Sequence, residues 1–197
     1  MSGQLEKILG EARRCQICAH ELPMGPRPII QAGTGARILI VGQAPGRKVH
    51  LSGVPWDDQS GDRLREWMGI DKARFYDPDC IAILPMGFCY PGAVAGGGDR
   101  PPDKRCAPAW HQRIREELPN VELTLLVGGY AQKYYLEQPS GSLTDTVAAF
   151  EKFMPTTLPL PHPSWRVVGW MRRNGWFESK VLPALRERVA ALVSDDH

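Results

Sequence analysis

The chain has 197 residues, 43% hydrophobic and 23% charged, with a formal net charge of +2. This is an ordinary globular composition, enough for a single domain over residues 1–197 with a full core. No stretch reaches the length of a membrane span, and the charged N-terminus has no apolar core of signal-peptide length, so the expected setting is cytoplasmic.

Residues 3–18 read as a short helix, with Leu5, Ile8, Leu9 and Ala12 at helical spacing, running into Cys15-Gln-Ile-Cys18. Residues 37–42 read as a buried strand that stops on Gly42-Gln43-Ala44-Pro45-Gly46. A polar loop follows, holding Trp56, Asp57 and Asp58. Residues 60–70 read as a helix with Ser60 as its N-cap. Residues 79–84 make a second buried strand with Cys80 in its middle as a small core residue. Residues 91–105 are too rich in Gly and Pro for regular structure. Residues 107–118 read as a helix, 122–129 as a third strand and 131–138 as a helix. Residues 157–164 are extended and end on His162-Pro163-Ser164. Residues 175–193 form an amphipathic helix with a break near Pro183.

Apolar strands alternating with helices predict a three-layer α/β/α sandwich around a mainly parallel four-stranded sheet. In such sheets ligands bind outside the carboxyl ends of the strands. Gly42-Gln43, Pro85-Met86 and His162 all lie just past a strand end and aim at one crevice.

Five cysteines in a reducing compartment favour metal or cluster binding over disulfides. The C-x2-C pair Cys15/Cys18, with Cys89 and Cys106, can close a four-thiolate site for [4Fe–4S] or Zn²⁺. The alternative is two surface thiols and two buried apolar cysteines.

The order of segments carries a resemblance. A C-x2-C, then Gly-Ala-Arg-Ile-Leu-Ile-Val-Gly-Gln-Ala-Pro-Gly, then Gly-x-Pro-Trp and Ser-Gly, then a Cys in a Pro/Gly loop, a further Cys and His-Pro-Ser resemble the uracil-DNA glycosylase superfamily. The likeness is to its iron–sulfur families 4 and 5 and spans about residues 13 to 190. It implies a [4Fe–4S] cluster on Cys15, Cys18, Cys89 and Cys106 in preference to zinc. It also implies a monomeric hydrolase that removes uracil or another deaminated base from DNA in base-excision repair, with no membrane partner.

Departures from the pattern are specific. Gln43 stands where family 4 has Glu, and Trp56 where it has the Phe that stacks on the base. Pro85 stands where it has an Asn that reads the uracil edge. Asp58 sits comparably to an Asp of family 5. MGFCYPG differs from both branches.

The chemistry assigns roles. Breaking a C1′–N bond makes an oxocarbenium-like sugar and an anionic or protonated base, after the base has left the stack. His162 is the expected donor to the departing base, and a neutral imidazole can donate without surrendering its proton. Gln43 can orient a water. Asp58, or less well Asp57, can polarise that water or stabilise the cationic sugar. The competing reading of the Asp pair is an Asx turn capping the next helix. Gly42, Gln43, Ala44, Trp56, Pro85 and His162 are expected to line the base pocket, although Trp56 also fits plain core packing. Ser164, Trp165, Arg166, Arg172 and Arg173 are expected at DNA, the first three as an intercalation loop and the arginines on phosphates, as is Lys48. His20, His50, His111 and His197 read as surface or structural positions. Two other functions remain open: a catalytically weak or inactive nucleic-acid-binding member of this fold, and a metal-stapled protein handling a free nucleotide or a nucleobase.

Overall fold

The computed structural model of the protein describes residues 2–137 and 141–193. Gln138 and His197 lie outside the described residues. The strands are β1 (Ile38–Val41), β2 (Ile81–Ile83), β3 (Leu123–Val127) and β4 (Thr157–Leu160), all parallel, in the order β2-β1-β3-β4. The helices are α1 (Ser2–Arg13), α2 (Arg47–Ser52), α3 (Gln59–Met68), α4 (Lys72–Phe75), α5 (Cys106–Arg115), α6 (Gly129–Tyr135), α7 (Leu143–Ala148), α8 (Val167–Arg173) and α9 (Leu182–Val193).

Strand side chains alternate between faces, and both faces here are buried. Ile38 and Ile40 join Leu64, Trp67, Phe177 and Leu185 on the side of α3 and α9. Leu39 and Val41 join Leu5, Leu9, Trp110 and Ala131 on the side of α1, α5 and α6. Each fully buried Leu or Ile contributes roughly 1.5–3 kcal/mol, so these two apolar layers hold the sandwich. The expected α/β/α architecture with a four-stranded sheet is what the chain adopts.

The local differences have physical causes. The first helix stops at Arg13, so Cys15 and Cys18 lie in turns beyond it. The N-cap of α3 is Asp58 and not Ser60: the Asp58 carboxylate accepts the Gly61 N–H at 2.9 Å. Cys80 precedes β2 instead of sitting within it, and its thiol donates to the Asp77 carboxylate at 3.4 Å. The break expected at Pro183 is a π-turn over Phe177–Val181 that widens the helix just before α9. α2, α4, α7 and α8 are too short to announce a period.

Pairing continues past β1 and β2. The N–H groups of Leu84, Met86 and Gly87 donate to the carbonyls of Ile40, Gly42 and Gln43 at 2.9, 2.9 and 3.0 Å. The skipped residue is Pro85, whose missing N–H falls on the side of this edge segment that β1 does not need. Beneath it lies His111, only 1% exposed. Its Nε2 is 3.0 Å from the Pro85 carbonyl and its Nδ1 2.6 Å from the Tyr135 hydroxyl. A carbonyl only accepts, so Nε2 carries the proton and Nδ1 accepts from tyrosine. Burial holds the His111 pKa down to about 4.

A histidine whose folded pKa lies below its unfolded value of about 6.5 is neutral in both states above that pH. Between the two values only the unfolded chain takes the proton. Stability should therefore fall by roughly 3 kcal/mol on this account as pH drops from about 6.5 to about 4. Urea unfolding at a series of pH values checks this. His111→Gln should flatten the slope in that window, and an unchanged slope contradicts the assignment.

Candidate active site

The level ends of β1, β3 and β4 and the extension of β2 open on one cleft of about 600 Å³. Gly42, Gln43, Ala44, Trp56, Asp58, Pro85, His162, Ser164, Trp165 and Arg166 all line it. Every base-pocket residue expected from the sequence is thus brought to one place. Arg172 and Arg173 are not among the lining residues; they are exposed at the end of α8. Lys48 is exposed on α2, and Asp57 is exposed outside the cleft.

Trp56 is held under constraint. Its φ is +56°, a left-handed conformation that bulky residues seldom adopt. Two glycines make this possible. A Cβ on Gly42 would lie 2.8 Å from the indole, and one on Gly61 would lie 1.8 Å from the Trp56 carbonyl oxygen. That carbonyl accepts from Arg65 Nη1 and the Tyr76 hydroxyl, both at 3.4 Å. Arg65 is only 5% exposed. Its guanidinium is paired with Asp62 at 2.6 Å and lies over the Phe75 and Tyr76 rings. A buried charge so well partnered is a fixed strut, and here it fixes the loop bearing the indole.

His162 follows β4 through Pro161. Its ring centroid is 5.7 Å from that of Trp56, at 31°. A base between two rings needs about 7 Å, two contacts of about 3.5 Å each. The two rings are therefore too close for a planar group to lie between them. Burial lowers the His162 pKa, opposed more weakly by Asp58, so the imidazole is neutral near neutral pH. Arg63 of α3 donates to the carbonyls of Pro163 and Ser164 at 2.8 and 3.0 Å and anchors the loop behind the histidine.

Asp58 both caps α3 and lines the cleft, so the capping role and a role in the cleft are compatible. The cap fixes the carboxylate's orientation. A second carboxylate, Asp99, comes from the Gly-rich loop, which closes on itself through an Ala93–Asp99 bridge. Desolvation, then repulsion from Asp58, raises its pKa. The sequence offered no signal for Asp99, because its loop has no period. Tyr130 also lines the cleft and was missed, although the rule that sites gather past strand ends applies to it as well as to His162.

The four expected cysteine ligands, Cys15, Cys18, Cys89 and Cys106, line one small cavity away from this cleft. The sulfurs accept hydrogen bonds: Cys15 from the Trp110 indole at 3.4 Å, Cys106 from the Phe88 N–H at 3.3 Å, Cys89 from the Arg27 backbone and Cys18 from its own backbone N–H. Burial pushes the Cys89 thiol up to about 11 and that of Cys106 up to about 12. Among the described residues, no group of three or more His, Cys, Asp or Glu side chains is arranged to hold a metal ion. No helix of the described residues is long and apolar enough to cross a membrane.

One comparison bears on the whole arrangement. A family model described as the uracil DNA glycosylase superfamily matches residues 30–186. The match takes in every cleft residue named above and two of the four cysteines, Cys89 and Cys106.

Proposed function

The chain belongs to the uracil DNA glycosylase superfamily, and from that premise we propose that it hydrolyses the N-glycosidic bond of uracil or another deaminated base in DNA. The observation that carries this reading is the convergence of a constrained indole, a half-buried neutral histidine and a helix-capping carboxylate in one cleft.

The base leaves the stack and lies on Trp56. The Gly42–Gly46 turn lets backbone approach its edge. His162 donates to the exocyclic oxygen on which negative charge gathers as the C1′–N bond lengthens. It is already neutral and already held, so no reorganisation is needed at the moment of reaction. Asp58 stands on the same cleft wall to stabilise the cationic sugar and polarise the attacking water, with Gln43 placing it. Gln43 has no basic oxygen strong enough to take the proton, so that task falls to Asp58. Pro85 gives the base neither an amide nor an N–H, and uracil is therefore read by shape and backbone more than by side-chain amide. Trp165 and Arg166 border the cleft where the DNA strand would pass, and Ser164, Arg172 and Arg173 complete the DNA-facing set.

The test is an alkali-cleavage assay on oligonucleotides carrying uracil, hypoxanthine, xanthine or a T·G mismatch. We expect cleavage at uracil or another of these bases, reduced about 10²–10³-fold by His162→Ala, the typical cost of one lost donor to a developing anion. Binding to damaged strands with no base released from any would favour a non-catalytic member of the fold.

The cysteine cavity supports a second part of the proposal. Four thiols gathered at one cavity support a bound group there, and a [4Fe–4S] cube would take one thiolate at each of four corners. Hydrogen bonds to the sulfurs are a regular feature of such sites. The cluster would replace the protons of thiols that burial keeps neutral and would staple Cys15 and Cys18 to the Cys89–Cys106 loop. Anaerobically purified protein should be brown with visible absorbance, and Cys106→Ser should lose that colour and melt lower. Colourless, iron-free protein with an unchanged melting temperature in the variant would contradict it.

A further inference from the structure

Two exposed aromatic residues stand at the cleft mouth, outside the bond-breaking chemistry above. Tyr130 is 43% exposed and Trp165 is 73% exposed, yet both line the cleft. They rise from the ends of neighbouring strands, β3 and β4, which are tied where the Gly128 N–H donates to the Leu160 carbonyl at 2.8 Å. The helices that follow go to opposite faces of the sheet. α6 packs through Ala131 and Tyr135 on one face, and α8 through Val167 on the other. Tyr130 and Trp165 therefore stand on two sides of the opening. Arg166 lies over the Trp165 ring at 5.2 Å. One turn beyond Tyr130, Tyr134 is 46% exposed beside the exposed Lys133.

We propose that Tyr130 and Trp165 stack on the nucleotides flanking the extruded base, and that the DNA bound across this cleft is single-stranded. The inference rests on the reading of the cleft as a base-excision site. Its physical basis is the number of base faces required. A single wedge can enter a duplex and fill the gap left by one base. Two aromatic faces, one on each side, need both neighbouring bases unstacked, and a paired complementary strand holds them stacked. A single strand presents these faces freely, and its target base costs least to extrude. Aromatic residues alternating with cations form the usual sequence-tolerant track for such strands. Lys133 and Tyr134 extend that track along α6, and Arg166 supplies the cation at Trp165.

Fluorescence anisotropy with the full chain tests the proposal on undamaged DNA. The probes are a labelled short oligothymidylate and the same strand annealed to its complement. The single strand should bind more tightly. Tyr130→Ala and Trp165→Ala should each weaken it by about 5- to 150-fold, the usual range for one lost stacking partner, while Tyr130→Trp should retain binding. Tighter duplex binding, or single-strand affinity unchanged in both alanine variants, would overturn the proposal. The two readings fail separately. Uracil release from duplex with unaltered binding in the variants would remove the single-strand track and leave excision standing. Aromatic-dependent strand binding without release of any base would do the reverse.

Discussion

The parallel register of four short strands is the constraint on which the rest depends. β1 lies inside the sheet, with β2 on one side and β3 on the other. The chain leaves β1, goes to β2, and must then cross to the far side of β1 to begin β3. Loops leaving a strand to opposite sides part from one another, and a crevice opens between them. Parallel pairing keeps the strand ends level. Residues 42–46, 84–87, 128–130 and 161–166 therefore meet around a single opening, although they are far apart in sequence.

That opening is useful because its walls are stiff. The Trp56 backbone sits in a conformation it would not choose alone. Gly42 and Gly61 give it space, and Arg65 and Tyr76 hold its carbonyl. The stored strain, of order 1–3 kcal/mol, is offset by the two buried faces of the sandwich. His162 is set by β4, by Pro163 and by the Arg63 grip on the loop. Beneath the floor, His111 links the Pro85 carbonyl to Tyr135 on α6. Each wall of the cleft is fixed from a different element, and a ligand that enters meets groups already in place.

The sequence made the sheet legible because both its faces are buried. Ile38–Val41 has no polar residue, and Leu123–Val127 only Thr124, so little confuses the period. The cleft was legible for the same reason, since Gly42, Pro85 and His162 lie just past those strands. What escaped was fixed by contacts distant in sequence. Nothing in a one-dimensional pattern tells that Gly61 must stay bare to admit the Trp56 carbonyl, or that Asp99 will fold back over Gly46. Short helices such as α2 and α8 have too few turns to show a period, and Arg65 reads as a surface charge until Phe75, Tyr76 and Asp62 surround it.

The central claim is that His162 stabilises negative charge on the departing base. The most direct measurement compares single-turnover release of uracil with that of 5-fluorouracil, whose anion is intrinsically more stable, by the wild-type chain and by His162→Ala. If the histidine carries that charge, its removal should slow uracil release far more than 5-fluorouracil release. Loss of the same factor for both bases would mean that His162 shapes the cleft without touching the leaving charge, and the account of the chemistry would be wrong.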